Sequence, residues 1–249
     1  MNQLILYEEA DNIGIITINR PEKVNALNQD IITGLTELLT KLNDDQSIRG
    51  VIITGTGKSF SSGVDISLMQ VNPEEGRKFI KQLHGMINAA RYNKKPIIAA
   101  INGYCFGGAL EFILACDICV AADNATFGMQ EVNLGIPSVI EAALFPFAVG
   151  LVKTRELLLT GKAITAEEAL KINLINRVVP RDSLLDEAKK AMKEIIRNSS
   201  YVIGLQKELI NRWLENAGIE ESIKIGVDYF TISLTNENTR DSLNSALKK

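Results

Sequence analysis

The sequence predicts an α/β fold built on a mainly parallel sheet and closed by a helical C-terminal section. Three observations carry this. In the first half of the chain, short β-branched runs alternate with amphipathic stretches, the pattern of βαβ units with right-handed crossovers. From about Ile140 onward strand signals almost stop, and apolar residues recur at helical spacing. The chain has 249 residues, 46% of them hydrophobic, enough to bury a large core without disulfide staples. No Pro- or Ser-rich linker marks the change from α/β to all-α. One subunit over 1–249 is therefore expected, with an α/β core over about 1–190 and a helical section over about 191–249 that packs on itself or on a neighbouring subunit.

Leu4-Ile5-Leu6-Tyr7 and Ile13-Gly14-Ile15-Ile16-Thr17-Ile18 read as two strands joined through a hairpin connection over 8–12. Arg20-Pro21-Glu22-Lys23 ends the second strand. Ile32, Leu35, Leu38, Leu39 and Leu42, spaced by three and four, predict a helix over about 29–42. Val51-Ile52-Ile53-Thr54 is continuously apolar up to its last residue, as a buried strand would be, and a Gly- and Ser-dense loop over 55–63 follows. A helix over about 74–92 leads to the strand 96–101, the turn 103–108, a short apolar helix to Cys116, and the strand Ile118-Cys119-Val120-Ala121. Helices are predicted beyond that at 151–159, 166–171, 183–197, 202–214 and 220–233.

Composition narrows the chemistry. Lys and Arg number 27 against 30 Asp and Glu, a net charge of −3, without the basic excess of a phosphate-backbone binder. Three cysteines suit a reducing compartment better than a disulfide framework. No apolar run approaches the roughly 20 residues of a membrane span, and Met1-Asn2-Gln3-Leu4 lacks a secretory pattern, so a cytoplasmic protein is expected. The single histidine, His84, excludes His pairs and His-rich metal sites, and no metal site is predicted. Carboxylates and backbone amides are left to carry any catalysis.

They converge between Ala99 and Pro137. Asn102-Gly103-Tyr104-Cys105-Phe106-Gly107-Gly108 joins a buried strand to a helix start, where N–H groups lack partners and the helix dipole favours negative charge. Taken alone it is equally a tight glycine turn. One turn into the helix stands Glu111, flanked by Leu110, Phe112, Ile113 and Leu114. Burying a carboxylate there costs several kcal/mol unless it is paired or protonated. Glu131, in Phe127-Gly128-Met129-Gln130-Glu131-Val132, read alone is a surface loop charge. Together the two suggest acid/base work on a substrate whose oxyanion is held by backbone.

These residues resemble the crotonase superfamily, its enoyl-CoA hydratase branch above all. The resemblance is carried by Asn102-Gly103-x-x-x-Gly107-Gly108-x-x-Glu111-x-x-x-x-Cys116-Asp117 and by Phe127-Gly128-x-x-Glu131-x-x-x-Gly135-Ile136-Pro137. It extends to Arg20-Pro21-Glu22-Lys23-x-Asn25-Ala26-Leu27, Phe60-Ser61-Ser62-Gly63-Val64-Asp65-Ile66, Leu159-Thr160-Gly161 and Leu174 to Pro180, so it runs along nearly the whole chain. It implies a crotonase-like (ClpP/crotonase) spiral of ββα units and a trimer or hexamer of like subunits. It implies an oxyanion hole for a thioester carbonyl at the Val64 and Gly108 amides. It assigns Glu111 to orienting and deprotonating the water that attacks C3, and Glu131 to protonating C2. Lys23, Val24 and Ala26 would line coenzyme A, with Ser62, Gly63, Asp65 and Ile66 bordering the thioester. The coenzyme belongs to the substrate, and no separate cofactor is expected. The expected activity is hydration of a 2-enoyl-CoA to a 3-hydroxyacyl-CoA in fatty acid metabolism.

Isomerase relatives often keep a single working carboxylate, so two glutamates favour the hydratase. The alternatives are an enoyl-CoA isomerase, another acyl-CoA lyase or hydrolase, and, in a different class, a non-catalytic or RNA-binding relative, against which the net acidity and both glutamates argue. Two departures from the family stand out. Relatives often end in Phe and Lys that meet a neighbour's nucleotide, whereas this chain reads Ser245-Ala246-Leu247-Lys248-Lys249, leaving Lys248 or Lys249 for a phosphate. Hydratases commonly follow Pro137 with a Gly-rich turn, which here is Ser138-Val139-Ile140-Glu141-Ala142-Ala143, pointing to a non-standard or branched acyl group. Glu141 itself is expected as an ordinary charge in a helix N-terminal turn. Cys116-x-x-Cys119 has no second pair and reads as core. A Ser59, Ser61 or Ser62 nucleophile would need a base, while His84 belongs to another helix, at its surface or at a pocket rim. The glycine spacing from Gly103 to Gly107 is wrong for a dinucleotide fingerprint.

Overall fold

The computed structural model describes residues 3–69, 72–215, 218–237 and 239–241. Lys248 and Lys249, considered above for a phosphate contact, lie outside them. The chain opens with strands β1 (Ile5–Ala10) and β2 (Ile13–Ile18), paired antiparallel. Asp11 and Asn12 between them have φ of 55° and 62°, as a two-residue turn matched to the strands' twist requires. Helix α1 (Gln29–Asp44) starts at Asn28, whose side chain accepts the Ile31 N–H at 3.0 Å. After it the chain repeats one unit. Strands β3 (Gly50–Gly55) and β4 (Ser59–Ser61) lead into α2 (Pro73–Arg91), and β5 (Ile97–Ile101) and β6 (Tyr104–Phe106) lead into α3 (Gly108–Leu114). Strands β7 (Ile118–Ala122) and β8 (Thr126–Gly128) begin a third turn of this ββα spiral.

The first strand of each unit joins a six-stranded sheet and the second joins a four-stranded one. The large sheet has the order β1-β2-β3-β5-β7-β10, its last strand being β10 (Arg177–Val179), and is parallel except for β1. Its central strands are covered on both faces, so they are continuous apolar runs instead of alternating ones. Ile16, Ile18, Val51, Ile53, Ile97, Ala99 and Ile101 face the core with α1, α2 and α3, while Ile13, Ile15, Ile52, Ile98, Ala100 and Val120 face α6 (Leu184–Ile196). That helix straddles residue 190 and forms the sheet's second layer.

Beyond Ile140 the helical expectation needs one correction. Helices α4 (Phe145–Thr160) and α5 (Ala166–Lys171) are there, but so are strands β9 (Ile164–Thr165) and β10 (Arg177–Val179). They have two and three residues, too few for a period to show, and they form only because a sheet edge awaits each: β10 on β7, β9 on β8. Helix α4 bends at Gly150 (φ 75°, ψ 157°), which is why its helical spacing reads clearly only from Leu151. Helix α7 (Ser200–Glu215) is fixed to the core by Lys207, whose ammonium meets Asp117 Oδ2 at 2.6 Å and the Lys95 carbonyl at 2.8 Å. Helix α8 (Ile219–Ser233) then packs on α7. Among the described residues, no helix is long and apolar enough to cross a membrane.

Candidate active site

The small sheet builds the site. β4 pairs with β6 in parallel, which lays the Ser61–Val64 loop against the Phe106–Gly108 turn. The contact is close: a Cβ on Gly63 would stand 2.7 Å from the Phe106 carbonyl oxygen, and one on Gly108 would stand 3.2 Å from Val64 Cγ2. Gly63 has φ of 90° and Gly107 of 52°, so both turns need glycine conformationally as well as sterically.

Several amides near Val64 and Gly108 are occupied. Leu27 N donates to the Gly63 carbonyl and Asp65 N to the Leu27 carbonyl, while Leu110 N and Glu111 N both donate to the Gly107 carbonyl. Among the described residues, the Val64 and Gly108 amides make no such bond. Gly108 opens α3, where a helix leaves its first N–H groups unpaired. The two residues named from sequence as donors thus lie on facing segments, Val64 in its loop and Gly108 at the helix start.

Glu111 is 3% exposed and accepts the Ala142 N–H at 2.9 Å. Burial raises its proton affinity. The amide works against this and the neighbouring Glu131 and Glu141 with it, so the net pKa is pushed up to about 8. Glu131, half-buried, opens a 3-10 turn (Glu131–Leu134) after β8. Its Oε1 lies where a Cβ on Gly107 would be, 2.6 Å away, and its Oε2 accepts the Ser138 hydroxyl at 3.1 Å. Burial raises its pKa as well, against the Ser138 hydrogen bond. Glu131 thus lies against the turn that opens α3, close enough to Glu111 to act on its charge, and both carboxyls hold protons more tightly than a solvated glutamate.

Of the remaining residues named from sequence, Val24 and Ser62 are brought together, with Ser62 N donating to the Val24 carbonyl at 3.0 Å. Val24 and Asn25 are both left-handed (φ 54° and 56°). Asn25 is fully buried and holds that bend through the Thr56 and Ser59 carbonyls and the Arg20 amide. Lys23 is exposed, Ala26 is buried and Ile66 is 63% exposed. Asp65 is committed internally: its Oδ2 meets Arg20 Nη1 at 2.6 Å and its Oδ1 takes the Ser67 hydroxyl at 2.8 Å. These bonds, Arg20 first, hold its pKa near about 2.

Glu141 departs most from expectation. It does sit in the first turn of a short helix, the 3-10 turn Ile140–Leu144, but not as an ordinary charge, being only 4% exposed. Its Oε1 lies 2.6 Å from His84 Nδ1, and Asn88 Nδ2 lies 2.8 Å from His84 Nε2. The signal for this was available, since Glu141 stands in an apolar run as Glu111 does; its partner 57 residues away was not. His84 is 45% exposed on its side-chain surface, at a cavity of about 250 Å³ that Ile80, Lys81, Arg91 and Leu144 also line. The thiols of Cys116 and Cys119 face the Phe112 and Ile113 carbonyls of α3 at 3.6 and 3.4 Å, the core position expected of them.

Comparison with known proteins agrees with this fold. The profile of the enoyl-CoA hydratase/isomerase family matches residues 8–249. A short-chain-enoyl-CoA hydratase of Clostridium acetobutylicum is 34% identical over 252 aligned residues, which span 100% of this chain and 96% of the relative. The crystal structure of an enoyl-CoA hydratase from Bacillus anthracis superposes with a TM-score of 0.93 at 27% identity, covering 99% of this chain and 96% of its own. A monofunctional enoyl CoA isomerase from M. smegmatis is 34% identical with a TM-score of 0.78, over 88% of this chain and 98% of that one. With the family profile matching residues 8–249 and full-length relatives at 34% identity, the chain belongs to the enoyl-CoA hydratase/isomerase family.

Proposed function

We propose that this protein adds water across the double bond of a 2-enoyl-CoA thioester to give the 3-hydroxyacyl-CoA. The observation that carries the reading is the placement of a buried carboxyl from α3 and a half-buried one from the turn after β8 near the facing Val64 and Gly108 amides. Two N–H donors on the thioester oxygen stabilise the enolate and leave C3 electrophilic; losing one such donor typically costs about 3–4 kcal/mol of barrier. Water oxygen then bonds to C3, one of its protons passes to Glu111, and C2 takes a proton from Glu131. Atoms balance, and the pair ends with its proton moved from one carboxyl to the other. Glu111 is the more buried of the two, so its role as base requires the shared proton to sit on Glu131 once substrate is bound.

Lys23, Val24 and Ala26, on the left-handed bend beside Ser62, suit the coenzyme A part of the substrate, and no separate cofactor enters this scheme. Crotonyl-CoA given to the purified protein should lose its conjugated enoyl absorbance, and Glu131→Gln should abolish that loss. Retained activity in this variant would overturn the assignment of roles. The likeness to the M. smegmatis isomerase favours a second reading, double-bond migration in a 3-enoyl-CoA. Product analysis from both esters separates the two.

Assembly as a homotrimer or a dimer of trimers is part of the same proposal. Phe147, Val152 and Leu159 on α4 are 66%, 81% and 73% exposed, and Ile219, Val227 and Phe230 on α8 are 79%, 61% and 64% exposed, an apolar surface unusual for a monomer. Light scattering should give three or six times the subunit mass of 27.3 kDa; a monomer at micromolar concentration would remove this part. The three unpaired cysteines fit a cytoplasmic setting.

A further inference from the structure

The 3-10 turn Ile140–Leu144 carries the Ala142 N–H that holds Glu111, so whatever fixes this turn fixes the Glu111 carboxyl. Within the turn that N–H is shared with the Val139 carbonyl at 2.9 Å, and the backbone beside it is strained. Ile140, a β-branched residue, sits at φ of 34°, a conformation that persists only when surrounding structure imposes it. Val139, at the N-cap, supplies no side-chain cap. What ties the turn down from the side is Glu141, the residue between Ile140 and Ala142, reaching His84 on α2 at 2.6 Å. On the ring's other side the Asn88 amide nitrogen lies 2.8 Å from His84 Nε2, so the imidazole is held between Asn88 and Glu141. The same α2 packs Leu83 against Gly108, where an added Cβ would stand 3.1 Å from Leu83 Cδ2. One helix therefore borders Gly108 through Leu83 and the turn through His84.

This arrangement is poor as a plain stabilising device. Glu141 Oε2 and Asn88 Oδ1 are both buried without a hydrogen-bond partner, and a core built only for stability does not normally leave such atoms. We propose that Glu141, braced by His84 and Asn88, is a positioning residue for Glu111, seating the 140–144 turn on α2 so that the Ala142 amide meets the Glu111 carboxyl. It also places a second carboxylate near Glu111 and so tightens that residue's hold on its proton. The charged and titratable groups facing Glu141 are His84, Lys81, Arg91 and Tyr92 from α2 and its C-cap, Glu111 from α3 and, through Glu111, Glu131.

The proposal rests on the hydratase reading only for its kinetic arm. Glu141→Gln, Glu141→Leu and His84→Gln in the full chain, each checked for an unchanged melting profile, test it in two ways. The first is the carboxyl titration of Glu111 followed by 13C NMR, assigned by its loss in Glu111→Gln, which needs no substrate. Glu141→Gln removes the neighbouring charge and should move that titration to lower pH by about half a unit or more. The second is turnover of crotonyl-CoA: Glu141→Leu should lower kcat about 10- to 100-fold with KM within about twofold, and Glu141→Gln, which still meets His84, should recover most of it. If Glu141→Leu fails to fold, His84→Gln and Glu141→Gln carry the test. Glu111 titrating unchanged in every variant overturns the proposal, as does a rise in KM at constant kcat, which would make Glu141 a substrate contact. Wild-type protein that leaves crotonyl-CoA untouched defeats the hydratase reading, and the titration still decides this one.

Discussion

Two carboxyls stand on the two segments that face each other across the candidate oxyanion site, the Val64 loop and the start of α3, and their proton affinities lie far apart. Asp65, one residue past Val64, is held near a pKa of about 2, whereas Glu111, three residues past Gly108, is pushed up to about 8. Both come from motifs that read as site residues in the sequence. The difference is made by partners. Asp65 has a guanidinium at 2.6 Å and a hydroxyl at 2.8 Å, and its charge is fully employed in bracing the loop. Glu111 has one backbone amide at 2.9 Å and two like-charged neighbours. A carboxyl with a committed cation is scaffold; one that is buried, under-partnered and crowded is available for proton transfer.

The contrast breaks most severely at Glu111. Glu111→Gln removes the proton acceptor while keeping the shape and the Ala142 contact, and should lower kcat for hydration by about 10²–10⁴-fold. The same change should stabilise the fold. The native Glu111 pKa lies above that of the unfolded chain, so ionisation opposes folding increasingly as pH rises from about 4 and is felt in full above about 8. At pH 8 the variant should melt a few degrees higher than wild type, and at pH 4 the two should melt together. A variant that is inactive and also less stable at pH 8 would mean that Glu111 is paired, as Asp65 is.

Gly107→Ala comes next. A Cβ there needs φ of 52° from a residue that resists it and lies 2.6 Å from Glu131 Oε1. The expected cost is about 1–3 kcal/mol of stability. Displacement of Glu131 should lower kcat about 10- to 100-fold, with KM changed far less. Full activity would show that Glu131 does not depend on this contact.

How much of this could be read beforehand follows the reach of each signal. The large parallel sheet and α1 to α3 are encoded locally, by apolar periods, and they read correctly, whereas the three-residue strands β4 and β6 lie inside the segments read as a loop over 55–63 and a turn over 103–108. Glu111 stood out because an apolar run around a carboxyl is itself local, whereas Glu131, alone a surface loop charge, was singled out only beside Glu111 and through the family resemblance. Strands β9 and β10 were missed because two or three residues gain strand character only from the edge they join. The pairing of Glu141 with His84 was missed because it joins residues 57 positions apart, and nothing near either one announces the other. Asp65 was found as part of a motif, but its tie to Arg20, 45 positions away, had to come from the structure.

The smallest effect is expected at Asp65. Its carboxylate and the Arg20 guanidinium are 17% and 16% exposed on their side chains, and Arg20 Nη1 also donates to the Ala26 carbonyl at 3.2 Å. The pair thus ties the Val64 loop to the segment proposed for coenzyme A. Because the native pKa lies below the unfolded value, the stabilisation is complete above about pH 4 and is lost as pH falls toward about 2. Asp65→Asn should therefore be less stable than wild type by about 1–2 kcal/mol at pH 7, with the gap closing only below about pH 4. Urea melts at pH 7, 4 and 2.5 would trace it. Turnover should hold within a few fold and KM for crotonyl-CoA should rise modestly, since the loop loosens while both acid/base groups stay in place. A loss of kcat as large as that of Glu111→Gln, with KM unchanged, would put Asp65 among the proton-transfer groups and erase the distinction between the two segments.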